Sequence, residues 1–381
     1  MTKETARKIV DLLFRMYDED DPDALINKNT HSLTFDFIGG EPLMNVPVID
    51  EVCGYFLEQC MARDHEWLYT WCGYMISNGD LYFNDEVQAL FKKYGRYLQY
   101  SVTIDGPKDL HDSCRVHVDG TGNFDNAYRA QQAYRKDFGG HGTGTKCTIA
   151  PQNLSRVGEI VEFFYNEGFR FINMNPIAET EWTYEQASEY YWQLKKLADF
   201  CLEKKDVNLR VFNELWYHPL AEDDIGNTCG GYGAMLAFDP YGNAYPCLRY
   251  MASSLGTDAP PVIIGDYNGI YKTDEARAIR ETMQCVNRKD ISTWKCFKCP
   301  VAAGCMYCAA WNYQSSGGCW NVRNTNDCHM HQAASLANVY YWNKRYHMEG
   351  SPYRFKLWLP RSEAERIVGR VEYYKLKNLE K

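Results

Sequence analysis

Four cysteines, Cys296, Cys299, Cys305 and Cys308, form a C-x2-C-x5-C-x2-C array. Thiolates two residues apart reach the same side of a tight turn, so each pair can converge on one metal centre. Four thiolates suit zinc or an iron–sulfur cluster equally well by count. Cys229, Cys247 and Cys328 flank the array, with Cys285 and Cys319 nearby. Phe238 to Cys247, with Tyr241-Gly242-Asn243 at its turn, reads as a hairpin feeding Cys247 toward the same centre. His329 and His331 follow Cys328 and are weaker candidate ligands. Cys53, Cys60, Cys72, Cys114, Cys147 and Cys201 lack ligand spacing and are expected to be packing residues.

A second set of candidates lies in the first third of the chain. Gly39-Gly40-Glu41-Pro42 follows a strand-like segment. Two glycines there would let a ligand approach the backbone closely, and Glu41 can accept a hydrogen bond from an ammonium group. Ser77-Asn78-Gly79 follows in order, then Ser101-Val102-Thr103-Ile104-Asp105-Gly106, His111-Asp112 and Arg115. A guanidinium such as that of Arg115 can clamp a carboxylate through two parallel hydrogen bonds.

The elements that must position these groups alternate. Ile9, Leu12, Leu13 and Met16 share one helical face within residues 4–18. Strands are expected at Leu33–Phe37, Trp67–Trp71, Leu98–Ile104, Lys146–Ile149 and Phe169–Met174. Helices are expected near residues 46–62, 84–95, 123–137, 154–167 and 183–204. Such β/α alternation implies an α/β fold with parallel strands. The opening helix has no strand before it. Either it simply covers the apolar edge at Leu33–Phe37, or a first strand is missing, and the second is expected. Beyond about residue 222 regular periodicity fades and Gly, Pro, Cys and aromatic residues rise. The expected units are residues 1–222, 223–349 and a tail, 350–381, ending in a short charged helix.

Composition narrows the class. The 381 residues carry a net charge of −9 without a Lys/Arg block, so no nucleic-acid footprint is evident. No apolar run reaches the roughly 18 residues of a membrane span. The basic N-terminus leads into an amphipathic helix, which is not an export signal. Fifteen cysteines without such a signal point to a reducing, cytoplasmic setting and to metal binding over disulfides.

These features resemble the radical S-adenosylmethionine (SAM) enzymes that end in a SPASM iron–sulfur domain. The likeness runs over about residues 4–335. The SPASM pattern is C-x9–15-G-x4-C, then C-x2-C-x5-C-x3-C, then a final Cys. Cys229, Gly242, Cys247, Cys296, Cys299, Cys305 and Cys328 fit, while Cys305 to Cys308 is x2 in place of x3. The resemblance implies a partial (β/α)6 TIM-like barrel, here lacking its first strand, followed by the small Cys-rich SPASM domain. It places Gly39, Gly40, Glu41 and Pro42 at the SAM amino group, with Ser77 and Asn78 in the next turn. Ser101 and Arg115 would face the SAM carboxylate, with Asn78 or Asp105 near the ribose. Cys296, Cys299, Cys305 and Cys328 would hold one auxiliary 4Fe–4S cluster. Cys229, Cys247 and Cys308 would hold a second, with an open iron site or with help from Cys285 or Cys319.

The family's radical chemistry also needs C-x3-C-x2-C, whose three thiolates hold the 4Fe–4S cluster that binds SAM and delivers the electron that cleaves it to a 5′-deoxyadenosyl radical. No such run occurs in this chain. The family places it between the first strand and first helix, so truncation before the first helix is expected. A natural pseudoenzyme is the alternative. Either way the chain as given is expected not to cleave SAM, and no catalytic residue is assigned. Family members mostly modify peptides or proteins. Sulfatase-maturing members often carry Asp after the second SPASM cysteine, where this chain has Leu248, which argues against sulfatase maturation. The sequence around Cys299–Tyr313 instead resembles maturases of Cys-rich precursors that form thioethers in RiPP biosynthesis. The implied partners are a precursor peptide or protein and a one-electron donor such as flavodoxin or ferredoxin, and the implied protein is oxygen-sensitive. Competing readings are a non-catalytic SAM- or peptide-binding scaffold and a zinc-stabilised α/β protein.

Overall fold

The computed structural model describes residues 1–21, 24–139, 144–224, 231, 235–256, 259–305, 308–350 and 352–381. Helix α1 (Lys3–Glu19) opens with Thr2, whose hydroxyl accepts from the Thr5 amide at 3.1 Å. It buries the face expected from the sequence, Ile9, Leu12, Leu13 and Met16, against α2 (Val46–Ala62). Each such side chain contributes about 1.5–3 kcal/mol when fully buried. Between them lies β1 (Thr34–Phe37).

The next segment departs from expectation. Trp67–Thr70 is a short helix, α3, and the strand β2 begins only at Cys72 and runs to Ser77. The aromatic run imitated a strand. In the structure Trp67 is buried against Phe14, Tyr17 and Phe56, and its indole N–H donates to the Thr30 carbonyl at 2.6 Å. Then follow α4 (Asp85–Tyr94), β3 (Leu98–Val102), α5 (Lys108–Asp112), α6 (Phe124–Phe138), β4 (Gly144–Ile149), α7 (Val157–Asn166) and β5 (Phe171–Pro176). A Thr183–Gln186 capping box starts α8 (Tyr184–Lys204), and the two-residue β6 (Asn208–Leu209) follows. That sixth parallel strand was not anticipated.

Among the described residues the parallel strands form two three-stranded sheets, β1-β2-β3 and β4-β5-β6. In the first, Asp36 pairs with Tyr74, and Ile76 with Ser101. Strand β2 buries Met75 and Ser77 while Tyr74 and Ile76 stay exposed, so one face of this central strand is uncovered. Strand β1 is an edge, as expected.

The remainder is built from small pieces. Strands β7 (Ala237–Phe238) and β8 (Asn243–Tyr245) form the expected hairpin, and β9 (Gly265–Asp266) and β10 (Gly269–Ile270) extend it into an antiparallel sheet. At its turn Gly242 has φ +92° and donates to the Asp239 carbonyl at 3.0 Å. Helices α9 (Asp274–Cys285), α10 (Arg288–Ile291), α11 (Trp294–Phe297) and α12 (Ala309–Ser315) carry or border the cysteine loops. The long helix α13 (Cys328–Glu349) and then α14 (Arg361–Leu379) close the chain; α14 is two short helical segments joined at a kink where Gly369 has φ +76°. Helix α13 packs along α8 and α14, and one apolar core runs from Val10 through Phe164 and Tyr250 to Leu336 and Leu376.

Candidate functional site

Two groups of residues carry chemistry, at the strand ends and in the cysteine loops. Glu41 caps the 3-10 turn Pro42–Asn45, its carboxylate accepting from the Leu43 amide at 3.1 Å. Its other oxygen accepts from the Asn78 amide at 2.8 Å. One side chain thus ties the loop after β1 to the loop after β2. Gly39 has φ +148°, and no atom lies within 4 Å of a Cβ placed on Gly39 or Gly40, so space is open over both. Pro42 is buried. Ser77 is buried and accepts from the Gly79 amide at 3.0 Å. Gly79, at φ +90°, leaves only 2.8 Å from a Cβ to the Ala127 backbone, so the turn must be glycine.

Behind these loops lies a buried polar chain. The Asn123 amide nitrogen donates to the Asn78 carbonyl at 2.9 Å and to the Asp80 carboxylate at 3.1 Å. His111 Nε2 and Asn123 Oδ1 are 2.8 Å apart, and the Asp105 amide donates to His111 Nδ1 at 3.2 Å. A donor at Nδ1 and an acceptor at Nε2 fix the neutral imidazole with its proton on Nε2. Asp105, also buried, pairs with the Arg115 guanidinium through one oxygen. Its other oxygen, Oδ1, is buried with no hydrogen-bond partner, a feature that asks for a donor. The expected SAM set is therefore joined from Glu41 through Asn78, Asn123, His111 and Asp105 to Arg115. Ser101 lies outside this network, on the exposed face of β3. The Asp105 pair engages Arg115 Nε, so a carboxylate clamp would have to use its terminal nitrogens.

The cysteine set is held differently. The Cys296 amide donates to the Thr293 hydroxyl at 3.3 Å, and Cys299 and Cys305 turn on the carbonyls of Cys296 and Ala302. Cys328 is the first residue of α13. Burial pushes the Cys299 and Cys305 thiols up and the Cys328 thiol up to about 12. The neighbouring thiols add to each shift: Cys296 acts on Cys299, Cys296 and Cys299 act on Cys305, and all three act on Cys328. The four are thus within electrostatic reach of one another, as a shared metal centre needs. Among the described residues, no three Cys, His, Asp or Glu side chains are already arranged about a single ion. Cys247 and Cys308 are half-buried and Cys285 and Cys319 exposed, while Cys229 lies outside the described residues.

The histidines and other thiols resolve simply. His331 Nε2 faces the Val301 carbonyl at 2.6 Å, and burial pulls its pKa down to about 4. His329 lies against the Tyr184 ring. Cys53, Cys60, Cys147 and Cys201 are buried packing thiols, each pushed up to about 12. Cys114 corrects the packing expectation. It is exposed, because it sits just past the end of α5.

A cleft of about 770 Å³ joins the two halves. Asn175 at the end of β5, Arg210 just after β6, Trp216, Cys305, Arg323 and Asp327 line it. This is the carboxyl end of the strands, where α/β folds bind ligands. Desolvation, helped by Glu179, pushes Asp327 up to about 7, and its Oδ1 is buried without a partner. Asn338 on α13 accepts from the Asn213 amide at 3.1 Å and donates to the Val211 carbonyl at 2.9 Å. The helix that begins at Cys328 is thereby keyed to the loop after β6. Sequence reasoning left out Asn123, Arg323 and Asp327 as site residues. Only their neighbours, His111-Asp112 and Cys328, carried a signal.

Comparison with known proteins follows the same lines. No family model matches the chain. Solved structures share its mixed α/β fold. Native anSMEcpe with bound AdoMet aligns with a TM-score of 0.57 at 14% identity, covering 88% of this chain and 87% of that one. The complex of anSMEcpe with AdoMet and the Kp18Cys peptide aligns with a TM-score of 0.56 at 18% identity, covering 91% and 89%. In sequence, cysteine-type anaerobic sulfatase-maturating enzymes from two strains of Clostridium perfringens are 25% identical over 251 residues, 60% of this chain. The chain spans 62% of the length of these curated relatives. Over that stretch the chain is similar in sequence to these sulfatase-maturating enzymes, and over most of its length it shares the fold of anSMEcpe. Among the described residues no helix is long and apolar enough to cross a membrane.

Proposed function

We propose that this chain is the body of a radical SAM/SPASM enzyme that modifies a ribosomally made peptide or protein, with a cysteine-containing precursor as substrate and a thioether or related oxidative change as product. The observation that carries this reading is the cleft itself. It places Cys305, one of four electrostatically coupled thiols, at the carboxyl ends of β5 and β6. A relative of this chain has been solved with AdoMet and a Cys-containing peptide. On this reading residues 1–222 are a partial barrel, 223–349 the SPASM unit and 350–381 a bracing tail.

The residues fit SAM in three respects. Space is open above Gly39 and Gly40, where a ligand can meet the backbone. Glu41, beside Pro42, is held by the Asn78 amide and presents a carboxylate for an ammonium group. Asp105 Oδ1 is a buried acceptor awaiting a donor such as a ribose hydroxyl. Ser77 and Asn78 shape the turn beside the sugar, and Ser101 and Arg115 face the SAM carboxylate. Cys296, Cys299, Cys305 and Cys328 hold one 4Fe–4S cluster, and Cys229, Cys247 and Cys308 the other. When bound, such clusters carry electrons or bind a substrate thiolate. The protein residues orient the peptide in the cleft and shield it from water. The electron donor is a flavodoxin or ferredoxin, and the setting is cytoplasmic.

The sulfatase-maturing relatives make a peptidyl cysteine the natural first substrate class to test. Leu248 stands directly after Cys247 and supplies no carboxylate there, which favours a product other than that of sulfatase maturation. The second reading is a non-catalytic SAM- or peptide-binding scaffold, and the reading frame upstream of residue 1 discriminates: a frame without C-x3-C-x2-C would favour it. Anaerobic reconstitution with iron, sulfide and zinc counted per chain tests the first reading. About eight irons and eight sulfides are expected. Zinc without a brown chromophore would replace the enzyme with a zinc-stabilised α/β protein. 5′-Deoxyadenosine is expected to be absent when this chain is given SAM and reductant, and its appearance would refute the inactivity.

A further inference from the structure

Arg323 lies on the cleft wall beside the cysteine loops and donates from Nη2 to the sulfur of Cys305 at 3.1 Å. The segment that follows it is fastened twice. The Asn324 amide donates to the side chain of buried Asn312 at 2.9 Å, and Asn326 donates to the Ala178 carbonyl at 3.0 Å. The guanidinium thus rests against one thiol, at the start of a segment pinned to two neighbouring parts of the fold. We propose that Arg323 is a positioning residue that sets the reduction potential of the cluster held by Cys296, Cys299, Cys305 and Cys328. The proposal rests on the cluster assignment above.

The physical argument is electrostatic. Adding one electron to a thiolate-ligated cluster makes the cluster and its sulfurs more negative, with no proton transferred. A cation donating a hydrogen bond to a ligand sulfur stabilises that reduced form more than the oxidised one. Hydrogen bonds to the sulfurs and net charge are main controls on the potentials of such clusters. Arg323 supplies both, inside a partly buried site where charge is poorly screened. Its charge also acts on Cys299, so it bears on two of the four ligands. Removing it should lower the potential.

The test is a potentiometric titration of the anaerobically reconstituted chain, with dithionite as reductant and the reduced cluster followed by electron paramagnetic resonance. Cys328→Ala identifies the signal of this cluster by deleting it. Arg323→Gln keeps a donor and removes the charge. It should shift the equilibrium about tenfold toward the oxidised form, about 59 mV for one electron. Arg323→Lys keeps the charge without the planar fork and should shift less. An unchanged potential in Arg323→Gln with full iron and sulfide overturns the proposal. Where Arg323→Gln fails to take up iron, Arg323→Lys decides: a lowered potential supports the role, and a wild-type potential or loss of the cluster overturns it. A wild-type chain that binds only zinc removes the cluster reading and this inference together. Full iron with an unmoved potential removes the inference alone.

Discussion

The strand-end loops around Glu41 and the cysteine loops around Cys305 are held in place by different forces. At the strand ends the polar groups that set the geometry are partnered within the protein, save Asp105 Oδ1. Glu41 grips Asn78, Asn123 grips Asn78 and Asp80, and His111 bridges Asn123 to Asp105. These bonds sit on parallel strands packed by long helices, so the pocket is formed before any ligand arrives. In the cysteine region α10, α11 and α12 span four, four and seven residues, too short to be stable alone. The thiols there resist ionisation because they are buried and because they repel one another as thiolates. On the proposed ligand assignment, a cation among them would relieve both penalties and couple metal binding to local folding. The first region is preorganised by its own hydrogen bonds, and the second would be completed by a ligand.

Breaking the second region should therefore have the larger effect. Cys299→Ala should lose about four irons per chain and open the cysteine loops to protease, while SAM affinity of the strand-end pocket stays intact. Iron counts, limited proteolysis and SAM calorimetry check all three, and retained iron would refute the ligand assignment. Acid acts next, on the metal-free chain. His331 has a folded pKa of about 4 against an ordinary value of 6.5. The unfolded chain thus binds more protons between these values, and stability present above pH 6.5 is lost as pH falls toward 4. The loss is about 3 kcal/mol at most. Denaturant midpoints across this window should show it, and His331→Gln, which keeps a donor for the Val301 carbonyl, should flatten it.

The complementary lesion lies at the strand ends. Asn123→Ala leaves the buried His111 Nε2–H without its acceptor and the Asn78 carbonyl without its donor. It should cost about 2 kcal/mol and weaken SAM binding about tenfold, a ratio worth about 1.4 kcal/mol, while iron uptake is unchanged. Parallel loss of iron would mean that the two regions are not independent. The smallest effect is expected at Glu41. Glu41→Ala removes a capping acceptor and should cost about 1 kcal/mol. Glu41→Gln should restore most of that stability and little of the SAM affinity, because the amide caps but carries no charge. Thermal melts beside calorimetry separate the two.

Local pattern made much of this legible. The amphipathic face of α1, the hairpin before Cys247 and the glycine turns after β1 and β2 depend on neighbours in sequence, and the structure has all of them. The strand β2 was not legible. Its buried positions are Gly73, Met75 and Ser77, and its exposed ones include Tyr74 and Ile76, so its polarity runs opposite to that of a surface strand. Gly73 is set by its neighbours, since a Cβ there would meet Leu98 at 2.6 Å. Helix α13 escaped because Gln332, Ser335, Asn338 and Asn343 are buried along with its apolar residues, which blurs the 3.6-residue period. Strand β6 has two residues, too few to show any period.

By itself the sequence determined the chemistry that is available: thiolates at metal-binding spacing and a carboxylate after two glycines at a strand end. It did so because spacing along the chain fixes which groups share a turn. Tertiary structure decided what those groups face. It paired Arg115 with Asp105, placed Asn123 as the buried link between strand-end loops, set Arg323 against Cys305 and brought Cys328 to thiols more than twenty residues earlier. Each of these depends on contacts between segments distant in the chain, where burial lowers the effective dielectric and makes the choice of partner matter most.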